Sequence, residues 1–89
     1  MLKIGLCEDN EIQHNQILSF LETISLPKHA INSFYKGNDL CNSIQEAMEE
    51  KEPYDIVIMD IDLPDGNGIT FSKRINVFSP HTIIIYMTS

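Results

Sequence analysis

Residues 56–59, Ile-Val-Ile-Met, form an unbroken and mostly β-branched apolar run, with Asp55 before it and Asp60 after it. The run is too short for a helix and shows no alternation of apolar and polar residues. It therefore reads as a strand buried on both faces, which occurs in parallel sheets covered by helices on each side. The following residues, Ile61-Asp62-Leu63-Pro64-Asp65-Gly66-Asn67-Gly68, read as a loop at the strand's carboxyl end. Open parallel α/β sheets bind ligands at that end of their strands. Asp60 is thus expected as the last strand residue, facing a crevice.

The rest of the chain alternates in the way such a sheet requires. Leu2 to Cys7 is a short strand ending at Glu8-Asp9. Asp9 or Asn10 caps a helix whose apolar positions are Ile17, Leu18, Leu21 and Ile24, in phase with His14. Leu26-Pro27 ends it. Ala30 to Tyr35 alternates and suits an outer strand. After a turn at Lys36-Gly37, Asn38 or Asp39 caps a second helix carrying Leu40, Ile44, Ala47 and Met48, with Glu46, Glu49, Glu50 and Glu52 as its solvated side. Pro53 stops it. A third strand covers residues 55–60, and a third helix runs from Gly68 or Ile69 to Phe78. Ser79-Pro80 breaks that helix, and residues 82–87 form a fourth strand before Thr88-Ser89. The order β-α-β-α-β-α-β with short connections predicts a doubly wound parallel sheet.

Eighty-nine residues make one small domain, and a hydrophobic content of 43% is enough for a packed core. The net charge of −7 argues against direct binding of nucleic acid. No apolar run approaches the length of a membrane helix, and no signal peptide is expected before the first strand. Cys7 and Cys41 lack ligand spacing and suit a reduced, cytoplasmic protein.

Right-handed crossovers bring the carboxyl ends of parallel strands to one edge of the sheet. That edge collects Glu8, Asp9, Asp60 and Thr88, with Asp62 two residues beyond Asp60. Two unit charges about 4 Å apart repel by roughly 4 kcal/mol at an effective dielectric near 20. A proton or a cation must relieve such a cluster, and hard oxygen ligands favour Mg²⁺. An Asp beside Mg²⁺ and a hydroxyl suits phosphoryl transfer.

Glu8-Asp9 after the first strand, the run Asp60-Ile61-Asp62-Leu63-Pro64-Asp65-Gly66-Asn67-Gly68, and Thr88 closing the fourth strand together resemble the receiver domain of two-component response regulators. Pro64, four residues after the acceptor, and Gly68, opening the next helix, are specific parts of that likeness. Cys7-Glu8-Asp9-Asn10 and Phe34 to Leu40 further resemble receivers attached to LytTR-type DNA-binding domains. The resemblance implies a flavodoxin-like sheet of order 2-1-3-4 with Asp60 as phosphoacceptor. Asp9 and Asp60 would ligate Mg²⁺ directly, Asp62 through its backbone carbonyl and Glu8 through water. Thr88 would be the switch hydroxyl and a sensor histidine kinase the phosphodonor. The output would be transcriptional, through a DNA-binding effector domain.

Departures from the family are expected to matter. Residues 1–89 correspond to the N-terminal part of a receiver. The family's fourth and fifth helices, its fifth strand and the lysine at that strand's end are expected to have no counterpart in residues 1–89, and no effector domain is expected within them. The fourth strand, Thr-Ile-Ile-Ile-Tyr-Met, is then expected as an exposed edge that drives homodimerisation or strand exchange. One face of strands one and three is expected to lie uncovered, and phosphorylation is expected to be weak without the lysine. A rival resemblance is to haloacid-dehalogenase-type phosphatases, with Asp60 as nucleophile and Asp62 as acid/base.

Several residues are expected to be structural only. Asp65 and Asn67 read as turn formers, and Lys73 and Arg74 as a solvated face. His14, His29 and His81 read as surface or partly buried, the methionines as core, and Ser89 as silent.

Overall fold

The structure is a computed structural model that describes residues 1–88; Ser89 lies outside the described residues. Strands β1 (Leu2–Cys7), β2 (His29–Phe34), β3 (Ile56–Asp60) and β6 (Ile83–Met87) form one parallel sheet in the order β2-β1-β3-β6. Between them lie helices α1 (Glu11–Thr23), α2 (Gly37–Glu49) and α3 (Gly68–Phe78). The expected parallel α/β sheet and its strand order are both present. β2 starts one residue before the expected Ala30 and stops before Tyr35. Its pairing with β1, Leu2 opposite His29 through Cys7 opposite Phe34, sets those ends.

The stretch after β3 is more ordered than a plain loop. Asp62–Leu63 (β4) and Gly66–Asn67 (β5) pair antiparallel as a short hairpin. Gly66 turns it with φ +153, a conformation that side-chain-bearing residues rarely adopt.

Alternation along the strands divides the core into two layers. Val57 and Met59 face α2 and α3, packing with Leu40, Ile44, Phe71 and Ile75. Ile4, Leu6 and Ile58 face the other way, under Leu21 of α1. The face of β1 and β3 expected to lie uncovered is therefore covered: Ile4 is 1% exposed and Leu6 fully buried. Among the strands, exposure of large apolar residues falls on β6, where Ile83, Ile85 and Tyr86 are all open to solvent. Among the described residues β6 pairs on one side only, with β3.

Met59 is core, whereas Met1 and Met48 are exposed. Cys7 and Cys41 are both buried and free. Burial, reinforced by the negative charges of Asp65, Glu8 and Asp9 and by Cys41 itself, pushes the Cys7 thiol up to about 12. Burial likewise raises Cys41, with Arg74 opposing and Asp65 assisting. Both are packing groups with inert thiols.

Tyr54 is the buried polar joint of the larger layer. Its hydroxyl bonds Asn32 Nδ2 of β2 at 2.8 Å and Ser43 Oγ of α2 at 2.9 Å. Its carbonyl accepts from Thr82 Oγ1, just before β6, at 2.7 Å. Replacing it by Phe removes both hydroxyl bonds, and losing part-buried hydrogen bonds of this kind costs about 0.5–1.5 kcal/mol. Urea denaturation of Tyr54→Phe is expected to show a loss of that size with an unchanged m-value.

Candidate functional site

Parallel pairing in register assembles the site. Cys7 lies opposite Met59 and Asp60 opposite Met87, so Glu8, Asp60 and Thr88 emerge from three adjacent strands at one edge. Glu8, Asp9 and Asp60 each offer a carboxylate oxygen, and all three oxygens lie within 4.8 Å of one another. Glu8 and Asp60 are buried, at 1% and 6% exposure, while Asp9 faces solvent. A cavity of about 220 Å³ opens onto the cluster, lined by Glu8, Gln13, Gln16, Ile17, Asp60, Met87 and Thr88. Of the residues singled out in the sequence, Glu8, Asp9, Asp60 and Thr88 thus come together. The Asp62 side chain is exposed, and that residue meets the site through its backbone, its N–H donating to Asp60 Oδ1 at 3.3 Å.

Charge in this cluster is uncompensated. Burial, aided by the side chain and charge of Asp60 and by the charge of Asp9, pushes the Glu8 carboxyl up to about 7, even though the Asn10 N–H donates to it. No Lys or Arg lines the cavity among the described residues. Three converging carboxylate oxygens, with space for further oxygen ligands, match the donor set of Mg²⁺. The donor chemistry therefore fits the metal.

Local hydrogen bonds shape the two acid-bearing loops. On the first, the Glu8 N–H donates to the Phe34 carbonyl at 3.0 Å, and Asn10 caps α1 by accepting from the Gln13 N–H at 3.0 Å. Asn10 is one of the two expected caps. On the second, the Gly68 N–H donates to the Ile61 carbonyl, and Asn67 caps α3 by accepting from the Ile69 N–H. Gly68 is required by close approach, since a β-carbon there would collide with the Asp60 carbonyl oxygen.

The sequence missed two connections. The first is the cap of α2. Lys36 occupies the N-cap position without a side-chain bond, so neither Asn38 nor Asp39 caps the helix. Asp65 does so from the hairpin, accepting from the Gly37 and Asn38 N–H groups at 2.8 Å each. Arg74, expected to be only solvated, donates to Asn38 Oδ1 at 3.0 Å and braces the same junction. Nothing in local sequence signals a cap borrowed across 28 residues. The second is His14, which is fully buried at 2% exposure rather than at the surface or partly buried. His29 and His81 are partly buried and exposed, as expected.

This sheet and its acidic carboxyl edge define a flavodoxin-like α/β domain, and comparison with known proteins assigns it further. The family model for the response regulator receiver domain matches residues 4–89, and the chain belongs to that family. A probable histidine kinase 1 of Oryza sativa subsp. indica is 33% identical over 76 residues, covering 85% of this chain and 7% of the kinase. The MaeR response regulator bound to beryllium trifluoride is similar at a TM-score of 0.79 and 25% identity, over 100% of this chain and 68% of its own. RcsB, solved as two dimers on two parallel DNAs, is similar at 0.78 and 25% identity, over 99% of this chain and 43% of its own. The chain spans between 3% and 18% of the lengths of the curated relatives it matches. Family membership decides between the two resemblances of the Asp60-x-Asp62 motif in favour of the signalling domain.

The Asp65 cap has a defined pH signature. Burial alone would raise its carboxyl, but hydrogen bonds from the Asn38 and Gly37 N–H groups outweigh it and hold the group below the usual carboxylate range. A lowered folded-state value contributes stability above the unfolded pKa, near 4, and loses it as pH falls through the folded value. Asp65→Ala is expected to be less stable than the parent by about 1 kcal/mol at pH 7, the scale of a lost helix cap. Denaturation below about pH 4 should show that difference closing as the parent's own carboxyl protonates.

Proposed function

We propose that this chain is a Mg²⁺-dependent phosphoacceptor that takes a phosphoryl group on Asp60 from a sensor histidine kinase. The observation that carries this is the meeting of Glu8, Asp9 and Asp60 oxygens within 4.8 Å, beside a cavity that Thr88 also lines. Asp9 and Asp60 would hold the metal directly, the Asp62 backbone carbonyl would complete the protein ligands, and Glu8 would act through water. When bound, Mg²⁺ neutralises charge on the transferring oxygens. An Asp60 oxygen attacks phosphorus as the bond from phosphorus to the donor's imidazole nitrogen breaks, and that nitrogen keeps the electron pair. The Asp62 N–H on Oδ1 orients the carboxylate for attack. Thr88 turns its hydroxyl to the new phosphoryl oxygens, which biases the domain between two states. Turnover is confined to gain and loss of that one group, so the domain acts as a switch, not as an enzyme on a separate substrate.

Around this core we place a cytoplasmic regulator. Residues 1–89 serve as the N-terminal part of a receiver whose output is transcriptional, through a DNA-binding domain elsewhere in the protein, of LytTR type. The RcsB complex with DNA supports an output of that kind, while the net charge of −7 keeps this segment itself off nucleic acid. No helix among the described residues is long and apolar enough to cross a membrane. Ile12 and Phe20 stand exposed on α1, the helix whose Gln13, Gln16 and Ile17 line the cavity, and offer an apolar landing for the kinase. The 89-residue chain dimerises through the open edge of β6, where Ile83, Ile85 and Tyr86 are exposed.

Two measurements test this. Incubation with beryllofluoride or acetyl phosphate and Mg²⁺ is expected to modify the chain once, at Asp60. Asp60→Asn should abolish the adduct, and multiple turnover of a generic phosphate ester would contradict the proposal. Sedimentation of the 89-residue chain is expected to show a concentration-dependent dimer that Ile85→Lys returns to monomer.

A further inference from the structure

His14 stands behind the acidic pair and not in it. It sits on α1, 2% exposed, with its Nδ1 3.0 Å from the Glu8 carbonyl oxygen. A carbonyl only accepts, so Nδ1–H is the donor. The other nitrogen, Nε2, is buried with no hydrogen-bond partner among the described residues. The ring stacks on Tyr35 with centroids 5.1 Å apart and planes 22° apart.

Packing alone does not explain an imidazole at this position. Phe or Leu would fill the space and stack or pack on Tyr35 without burying an unpaired nitrogen. What only His supplies is the bond to Glu8. The accepting carbonyl belongs to the peptide that joins Glu8 to Asp9, so its orientation sets the direction in which Asp9 leaves β1. Glu8 is otherwise held by its N–H on the Phe34 carbonyl and by the Asn10 N–H on its Oε1 at 3.1 Å. Neither bond restrains that peptide's carbonyl, and Asp9 itself is exposed.

We infer that His14 is a positioning residue for the metal and phosphoacceptor site: its Nδ1–H fixes the Glu8–Asp9 peptide so that both carboxylates converge on Asp60. This rests on the Mg²⁺-dependent function proposed above. Residues that orient metal ligands from behind typically change metal affinity about 10–100-fold when removed.

Calorimetric titration with Mg²⁺ alone separates donor from packing. His14→Phe keeps the ring stack and removes the N–H, and is expected to weaken Mg²⁺ binding about tenfold or more. His14→Asn loses the stack but places an amide N–H near the position of Nδ1. It is expected to bind within about threefold of the parent despite a lower thermal midpoint, well short of the loss expected when an orienting group is removed. Parent-like binding by His14→Phe, or equal weakening of both variants, would overturn the inference while leaving the function intact. If His14→Phe does not fold, His14→Asn still decides, because weakened binding with the donor present would be just as contrary. Failure of the unaltered chain to bind Mg²⁺ would overturn the functional proposal itself, and this inference with it.

Discussion

Parallel pairing of β1 with β3 is the constraint on which the rest depends. With Cys7 opposite Met59, the chain cannot avoid delivering Glu8 and Asp9 beside Asp60. Carboxylates that close repel by several kcal/mol in a partly buried setting. A fold of this size has little stability to offset that. The raised Glu8 carboxyl is the visible consequence, because burial beside other acids favours the form that carries a proton. A cation relieves the same repulsion without the proton. The sheet thus holds a destabilising cluster in place, and its two apolar layers supply the compensating burial.

The two acid-bearing loops are held in different ways. Glu8-Asp9 is gripped from behind, by the Phe34 carbonyl on one side and by His14 on the other. The segment after Asp60 is pinned forward, through Asp65 to the first turn of α2 and through Asn67 to the first turn of α3. Since α2 has no side-chain cap of its own, the hairpin and that helix depend on each other. Any rearrangement near Asp60 that moves the hairpin therefore changes the end of α2, 28 residues away from Asp65 in the chain.

Much of this was legible before any coordinates. The apolar run before Asp60 had to be a central strand, because nothing else buries Val57 and Met59 on one face and Ile58 on the other. The acids at strand ends followed from chain order and crossover handedness. His14 was read on the apolar face of α1, but its full burial was missed because helical period tells which positions share a face and not how deeply a polar one is buried. The face of β1 and β3 expected to be bare was misjudged because a single helix, α1, suffices to cover Ile4 and Leu6. The β4–β5 hairpin escaped notice because two-residue strands carry no periodicity to read.

By itself the sequence determined the four strands of the parallel sheet and the edge at which Glu8, Asp9, Asp60 and Thr88 gather, and its resemblance to receiver domains indicated the strand order and the family. The strands and their shared edge follow from local chemistry: apolar runs, turn residues and handed connections. Tertiary structure alone decided how those acids are held. The Asp65 cap on α2 and the His14 bond to Glu8 join residues through space, and hydrogen bonds need a donor and an acceptor at the right distance and angle. Composition and periodicity do not encode such distances; the packed layers set them.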